Sequence, residues 1–272
     1  MRIYHYTNLE SLALILKNKT IRFNRLDKVD DLEEGNVESL GVKFCKYVFV
    51  SCWTETEEES IPLWKLYGGE YGGIRISLEQ KMFKEYVVSD LKIGNMQSKG
   101  VVLSKIPPQD MINPAFYFIP IQDYENDMFY RHVRYVDNIT SFTKDAIRID
   151  NIHGDRGDMH VTTKIFGYYK NIRWQFQDEV RFVLCALPIN PMLEGGNPEI
   201  SSIVMQSLLG NKSLPFHYYD MSLKDDAFDN LEITLSPSAT EAQKLIVQAL
   251  IEKYAPNAKL KESALGKVVR FK

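Results

Sequence analysis

Two runs of this chain are so rich in β-branched and aromatic residues that each reads as a buried strand: residues 47–53 (YVFVSCW) and 179–187 (EVRFVLCAL). Around the first lies a close succession of short elements. Residues 2–6 read as a brief strand that passes at once into a helix. Thr7-Asn8-Leu9-Glu10 has the capping-box form, and Leu9, Leu12, Ala13 and Leu16 fall on one face. Asn18 is a reasonable stop, and 21–23 returns as a strand. Residues 27–38 are acidic and read as a loop with one helical turn. Ser60 can cap a short helix that has Pro62 in its first turn, carries Trp64 and Tyr67, and ends at Gly68-Gly69. A strand resumes over 72–78.

The middle of the chain is less legible. Residues 86–106 supply one or two strands, and Pro107, Pro108, Pro114 and Pro120 break the next stretch. Residues 128–149 are helical in part, 151–158 form a polar loop, and 161–173 are a helix weakened by Gly167. Further on, 217–221 and 233–235 read as strands and 236–254 as a helix with Leu245, Ile246, Ala249 and Leu250 inside it. Residues 268–271 read as a closing strand. With no repeat, linker or low-complexity segment, the expectation is one α+β domain over 1–272 with an irregular insertion at about 80–160.

Composition narrows the function. Lys plus Arg number 33 and Asp plus Glu 36, a net charge of -3, which argues against gripping nucleic acid through bulk charge. No apolar run approaches the roughly 20 residues that span a bilayer, and the start, MRIYHYTNLE, lacks a basic-then-apolar signal pattern. Three cysteines (Cys45, Cys52, Cys185), with no C-x-x-C pair, disfavour disulfide frameworks and cysteine zinc sites and suit a reducing cytoplasm.

The sequence lacks a phosphate-binding G-x-x-x-x-G-K-[ST] loop, a dinucleotide G-x-G-x-x-G, a G-x-S-x-G elbow and an H-E-x-x-H zinc pair. The run from Gly68 to Gly73 opens a strand rather than a helix, so it makes no helix-end phosphate site. His153 and His160 bracket two aspartates that could surround a metal, although a solvated loop explains them better. His5 stands at a strand end before a helix cap, where an imidazole either faces a polar ligand or bonds backbone. Trp64 and Tyr67 share a helix face. Core packing is the better reading for Trp64, while Tyr67 could offer its ring to a flat ligand. Glu179 heads a buried strand, so its carboxylate must be paired or used. If that strand alternates, Gln177, Glu179 and Arg181 share one side and Val180 and Phe182 the other.

These residues resemble a bacterial family, domain of unknown function 2971, through HYTNLESLALILKNKTIRF, DDLEEG, FVSCW, LWKLYGGEYGGIRIS, KNIRWQFQDEVRF and the late ITLSPSATEAQKLI. Two positions depart from its pattern: Asp30-Asp31 stands where Asn-Asp is usual, and Gln177 where the first Glu of E-x-E is usual. The order of His5, Tyr67 and Glu179 is also similar to the H-Y-E arrangement of ADP-ribosyltransferases. Ser51 resembles the serine-bearing strand of the related R-S-E group, and Gln177-Asp178-Glu179-Val180 resembles the turn that holds their catalytic glutamate. The resemblance implies a split cleft between two small mixed or antiparallel sheets, with NAD bound there as substrate and no metal.

On that footing His5, Tyr67 and Glu179 are catalytic. Thr7, Ser51, Trp64, Arg22, Arg75 and Arg181 contact NAD, the arginines at the pyrophosphate. Gln177, with Asp31 and Glu34 of the acidic turn, faces a macromolecular acceptor, protein or nucleic acid. Family habit implies a toxin or phage-defence effector with an antidote or partner protein. Two other readings stand beside it. One is a non-enzymatic nucleotide-sensing or protein-interaction module. The other is a metal-dependent nuclease built on Asp30, Asp31, Glu34 and the His–Asp loop, for which a charged surface turn is the preferred explanation.

Overall fold

The structure is a computed structural model that describes residues 1–68, 72–89, 92–93, 96–97, 100–119, 128–153, 156–194 and 197–269. Among the described residues ten strands form the principal sheet: β1 (Arg2–Asn8), β2 (Thr20–Arg25), β3 (Val48–Thr54), β4 (Gly73–Glu79), β5 (Tyr117–Phe118), β6 (Tyr130–His132), β7 (Glu179–Leu187), β8 (Tyr218–Ser222), β9 (Glu232–Leu235) and β10 (Lys259–Glu262). The two apolar runs pair with each other. β7 lies antiparallel to β3 along its length, from Glu179 opposite Thr54 to Cys185 opposite Val48. This α+β architecture is the class expected.

The other edge of β3 is divided, and that division places the site. Asn24 and Arg25 of β2 pair with Val50 and Phe49 at the start of β3, while Tyr4 of β1 pairs with Thr54 at its end. Between those anchors β1 and β2 part. β1 continues into β4, β9 and β10, and β2 into β8. The helix α1 (Leu9–Asn18) joins the diverging strands. Its cap lies one residue later than the sequence suggests: Asn8, the last residue of β1, and not Thr7, accepts from Ser11 N at 2.8 Å. Leu12, Ile15 and Leu16 bury the helix, and Lys19 closes it in a left-handed conformation (φ 51).

Alternation along β7 is as the pattern predicts. Phe182 enters an aromatic cluster with Phe83 (4.9 Å between centroids), Phe129 (5.2 Å) and Tyr130 (5.0 Å), while Glu179 and Arg181 turn to a charged network on the other side. The helix α2 (Ile61–Tyr67) has Ser60 as its cap and a proline in its first turn. A close backbone approach seats its end on the sheet, since a Cβ on Gly73 would come within 2.6 Å of the Gly68 Cα.

The middle of the chain departs most from expectation. Residues 161–173 are not an α-helix: after Val161 come a 3-10 turn (Thr163–Ile165), Gly167 at φ 65, a strand (Tyr169–Asn171) parallel to Arg134–Val136, and the start of a second 3-10 segment (Ile172–Gln177). Gly167 packs where a Cβ would meet Val50 Cγ1 at 3.2 Å. The expected loop over 151–158 belongs instead to a hairpin, Ile147–His153 with Arg156–Val161, with 154–155 outside the described residues. Of the stretch 128–149, Ile139–Thr143 is helical, and Tyr130–His132 joins the sheet beside β7. Helix Glu241–Tyr254 buries Val247 and Ile251 and leaves Leu245 and Ile246 exposed. Val268 lies in a turn rather than a strand, and 270–272 are outside the described residues, as are Gly69, Glu70 and Tyr71.

Candidate functional site

The parting of β1 and β2 leaves three residues of β3, Ser51, Cys52 and Trp53, without a ladder partner on that edge. An unpaired strand edge inside a protein needs substitutes for its missing hydrogen bonds. His5 supplies one. Its Nδ1 lies 2.7 Å from the Cys52 carbonyl oxygen, so Nδ1 carries the proton and donates. The ring is half-buried beside Trp53, 5.0 Å between centroids. Burial lowers the His5 pKa, against the raising effect of the Cys52 carbonyl. A neutral ring donating through Nδ1 keeps a lone pair at Nε2, and that atom has no hydrogen-bond partner among the described residues.

A cavity of about 420 Å³ opens along this split, within the size range of small-molecule sites. His5, Tyr67 and Glu179, brought from β1, α2 and β7, all line it. Thr7, Ser51, Arg22, Gln177 and Arg181 do so as well. Trp64, Arg75, Asp31 and Glu34 do not.

Each residue away from the wall has a structural task. Trp64 is 3% exposed, packs edge-on against Tyr6 (4.9 Å) and donates to Glu59 at 2.9 Å. The Arg75 guanidinium lies 4.2 Å over the Tyr4 ring and donates to the Glu57 carbonyl at 2.6 Å. Asp31 Oδ1 accepts from Glu33 N (2.9 Å) and Glu34 N (3.4 Å), so it shapes the acidic turn. Glu34 is 1% exposed and grips Arg181 with both oxygens.

The floor of the cavity is an ion network. Arg181, with no exposed surface, is clasped between Glu34 and Glu179 and also donates to the Gly167 carbonyl at 3.3 Å. Its guanidinium is committed to these carboxylates, which leaves it no group to offer the pyrophosphate that the resemblance assigns to it. Lys170, 4% exposed, donates to Glu179 Oε2 at 2.9 Å and to Gln177 Oε1 at 2.6 Å. Gln177 in turn donates to the Tyr67 hydroxyl oxygen at 2.9 Å. Both ends of its amide are therefore engaged within the protein, and its geometry serves Tyr67 rather than an acceptor substrate.

Burial alone would raise Glu179. Arg181 and Lys170, together with hydrogen bonds from Arg181 and Cys52, outweigh it and hold the carboxyl at about 2. Burial pushes the Tyr67 phenol far up, so it keeps its proton. The two sequence readings of Glu179 thus meet in one residue, which is ion-paired and also faces the cavity.

At the mouth Arg22 is half spoken for, with a bidentate pair to Asp220 (2.8 and 2.9 Å) and the Tyr218 ring 3.7 Å beneath it. Lys28 also lines the cavity, is exposed and has no ion-pair partner among the described residues. Sequence reasoning does not single out Lys28 or Lys170. For Lys170 the available signal is a lone lysine inside the aromatic stretch that leads to Glu179. Among the described residues no group of three or more His, Cys, Asp and Glu could hold a metal ion, and no helix is long and apolar enough to cross a membrane. Comparison with protein-family models, with curated proteins and with solved structures finds no match to the chain.

Proposed function

We propose that the split cleft binds NAD and that the chain is an ADP-ribosyltransferase-like enzyme, similar to the H-Y-E group and to domain of unknown function 2971. The supporting observation is the convergence of His5, Tyr67 and Glu179, distant in sequence, on one cavity where β1 leaves β2. In this reading His5 Nε2 accepts from a ribose hydroxyl, with Thr7 beside it, and the Tyr67 ring lies against nicotinamide. Glu179, ionised at neutral pH, stabilises positive charge as the bond from ribose C1′ to the nicotinamide nitrogen breaks. The bonding electrons leave with nicotinamide. A nucleophile of a protein or nucleic acid then bonds C1′ and releases its proton to solvent water. In the same reading Lys28, and Arg22 through exchange with Asp220, pair with the pyrophosphate; both line the cavity. A toxin or phage-defence setting, with an antidote protein, belongs to the same proposal.

The test is incubation of the purified protein with NAD, following free nicotinamide and transfer of label. Turnover that disappears in Glu179→Gln supports the enzyme. Metal-dependent cleavage of nucleic acid without any effect of NAD would refute it. One observation favours a second reading, a nucleotide sensor: both Glu179 oxygens already accept from Arg181 and Lys170. NAD binding without turnover would select the sensor.

A further inference from the structure

The hydrogen bonds around Tyr67 have a direction, and the direction is chemically forced. An ammonium group only donates, so the Gln177 atom 2.6 Å from Lys170 Nζ must be the carbonyl oxygen. The amide NH2 therefore points at the Tyr67 hydroxyl oxygen, 2.9 Å away. That oxygen accepts, and its own hydrogen has to go elsewhere. It makes no hydrogen bond to an acceptor among the described residues, while the half-buried ring lines the cavity. Lys170 and Gln177 are each 4% exposed, so water does not scramble the arrangement.

We infer that Tyr67 donates a hydrogen bond to the bound ligand, its hydroxyl proton aimed into the cavity by the Lys170–Gln177 couple. The ligand group beside Tyr67 then carries an acceptor oxygen. His5, which lines the same cavity, imposes the opposite demand, since its unpartnered Nε2 asks for a donor. A pyridine carboxamide on a ribose satisfies both, with its carbonyl at Tyr67 and a sugar hydroxyl at His5. This inference rests on the NAD reading and adds what that reading lacks, the role of the hydroxyl as distinct from the ring. Lys170 and Gln177 are positioning residues.

The experiment is calorimetric titration of NAD and of ADP-ribose, which has no nicotinamide, into the wild type, Tyr67→Phe and Gln177→Glu. Phenylalanine keeps the ring and removes the donor. A carboxylate at 177 accepts the phenol proton and turns it away from the cavity. Both variants are expected to bind NAD about five- to tenfold more weakly, the worth of one hydrogen bond, and ADP-ribose as the wild type does. The double variant is expected to lose no more than either single one. Equal NAD affinity in Tyr67→Phe, or an equal loss for ADP-ribose, overturns the inference while leaving the NAD reading intact. No binding of either compound to the wild type overturns both. If Gln177→Glu lacks a cooperative melting transition, the NAD against ADP-ribose contrast in Tyr67→Phe decides alone.

Discussion

Replacing Glu179 with glutamine should cost this protein much of its stability at neutral pH and little in acid. Glutamine keeps the shape and stands in for the protonated carboxyl. In the folded chain Arg181 and Lys170 hold Glu179 at about 2 against an ordinary value of 4.5, and lowering a pKa by one corresponds to about 1.4 kcal/mol. Because the folded value is the lower one, the stabilisation is complete above the unfolded pKa and is lost as pH falls through the folded one. The wild type should therefore exceed Glu179→Gln by about 3 kcal/mol at pH 7 and by about 1 kcal/mol near pH 3. Urea unfolding at a series of pH values, with ΔG extrapolated to water, measures the difference directly. A gap under about 1 kcal/mol that does not change with pH would refute the reasoning, since it would mean that solvent screens the network. The same measurement keeps a loss of turnover in this variant from being mistaken for unfolding.

Two further outcomes rest on neighbouring contacts. Arg181→Met strands Glu34 and Glu179 together without a guanidinium, so it should cost about 3–5 kcal/mol at pH 7. Its deficit should shrink as pH falls and the carboxylates protonate, and urea midpoints at pH 7 and pH 4 check that sign. Asn8→Ala removes the α1 cap that accepts from Ser11 N and should cost about 1 kcal/mol, seen as a lowered urea midpoint with unchanged m.

The parts of this fold that are legible in the sequence are those where local chemistry and tertiary context agree. β3 and β7 are nearly continuous apolar runs, and the α2 cap, Ser60 with Pro62, is local. The alternation of Glu179 and Arg181 against Phe182 follows from strand geometry alone. The segment around Gly167 misleads because its helical periodicity competes with a requirement visible only in three dimensions. Gly167 must pass against Val50 in a left-handed conformation and offer its carbonyl to Arg181. The acidic turn misleads for a related reason: Glu34 faces inward because a buried arginine 147 residues away needs a second carboxylate. Lys170 carries no pattern of its own, since its importance lies in which atoms of Gln177 and Glu179 it holds.

The gap between β1 and β2 is, on the function proposed, a dinucleotide site. Crystals of the protein grown with NAD test this most directly. The expected result is electron density for NAD, or for ADP-ribose and nicotinamide, in that gap, with the pyridine ring against Tyr67, a ribose hydroxyl on His5 Nε2 and the pyrophosphate toward Lys28. A dinucleotide bound elsewhere on the surface, or a cleft that stays empty at saturating NAD, would contradict it.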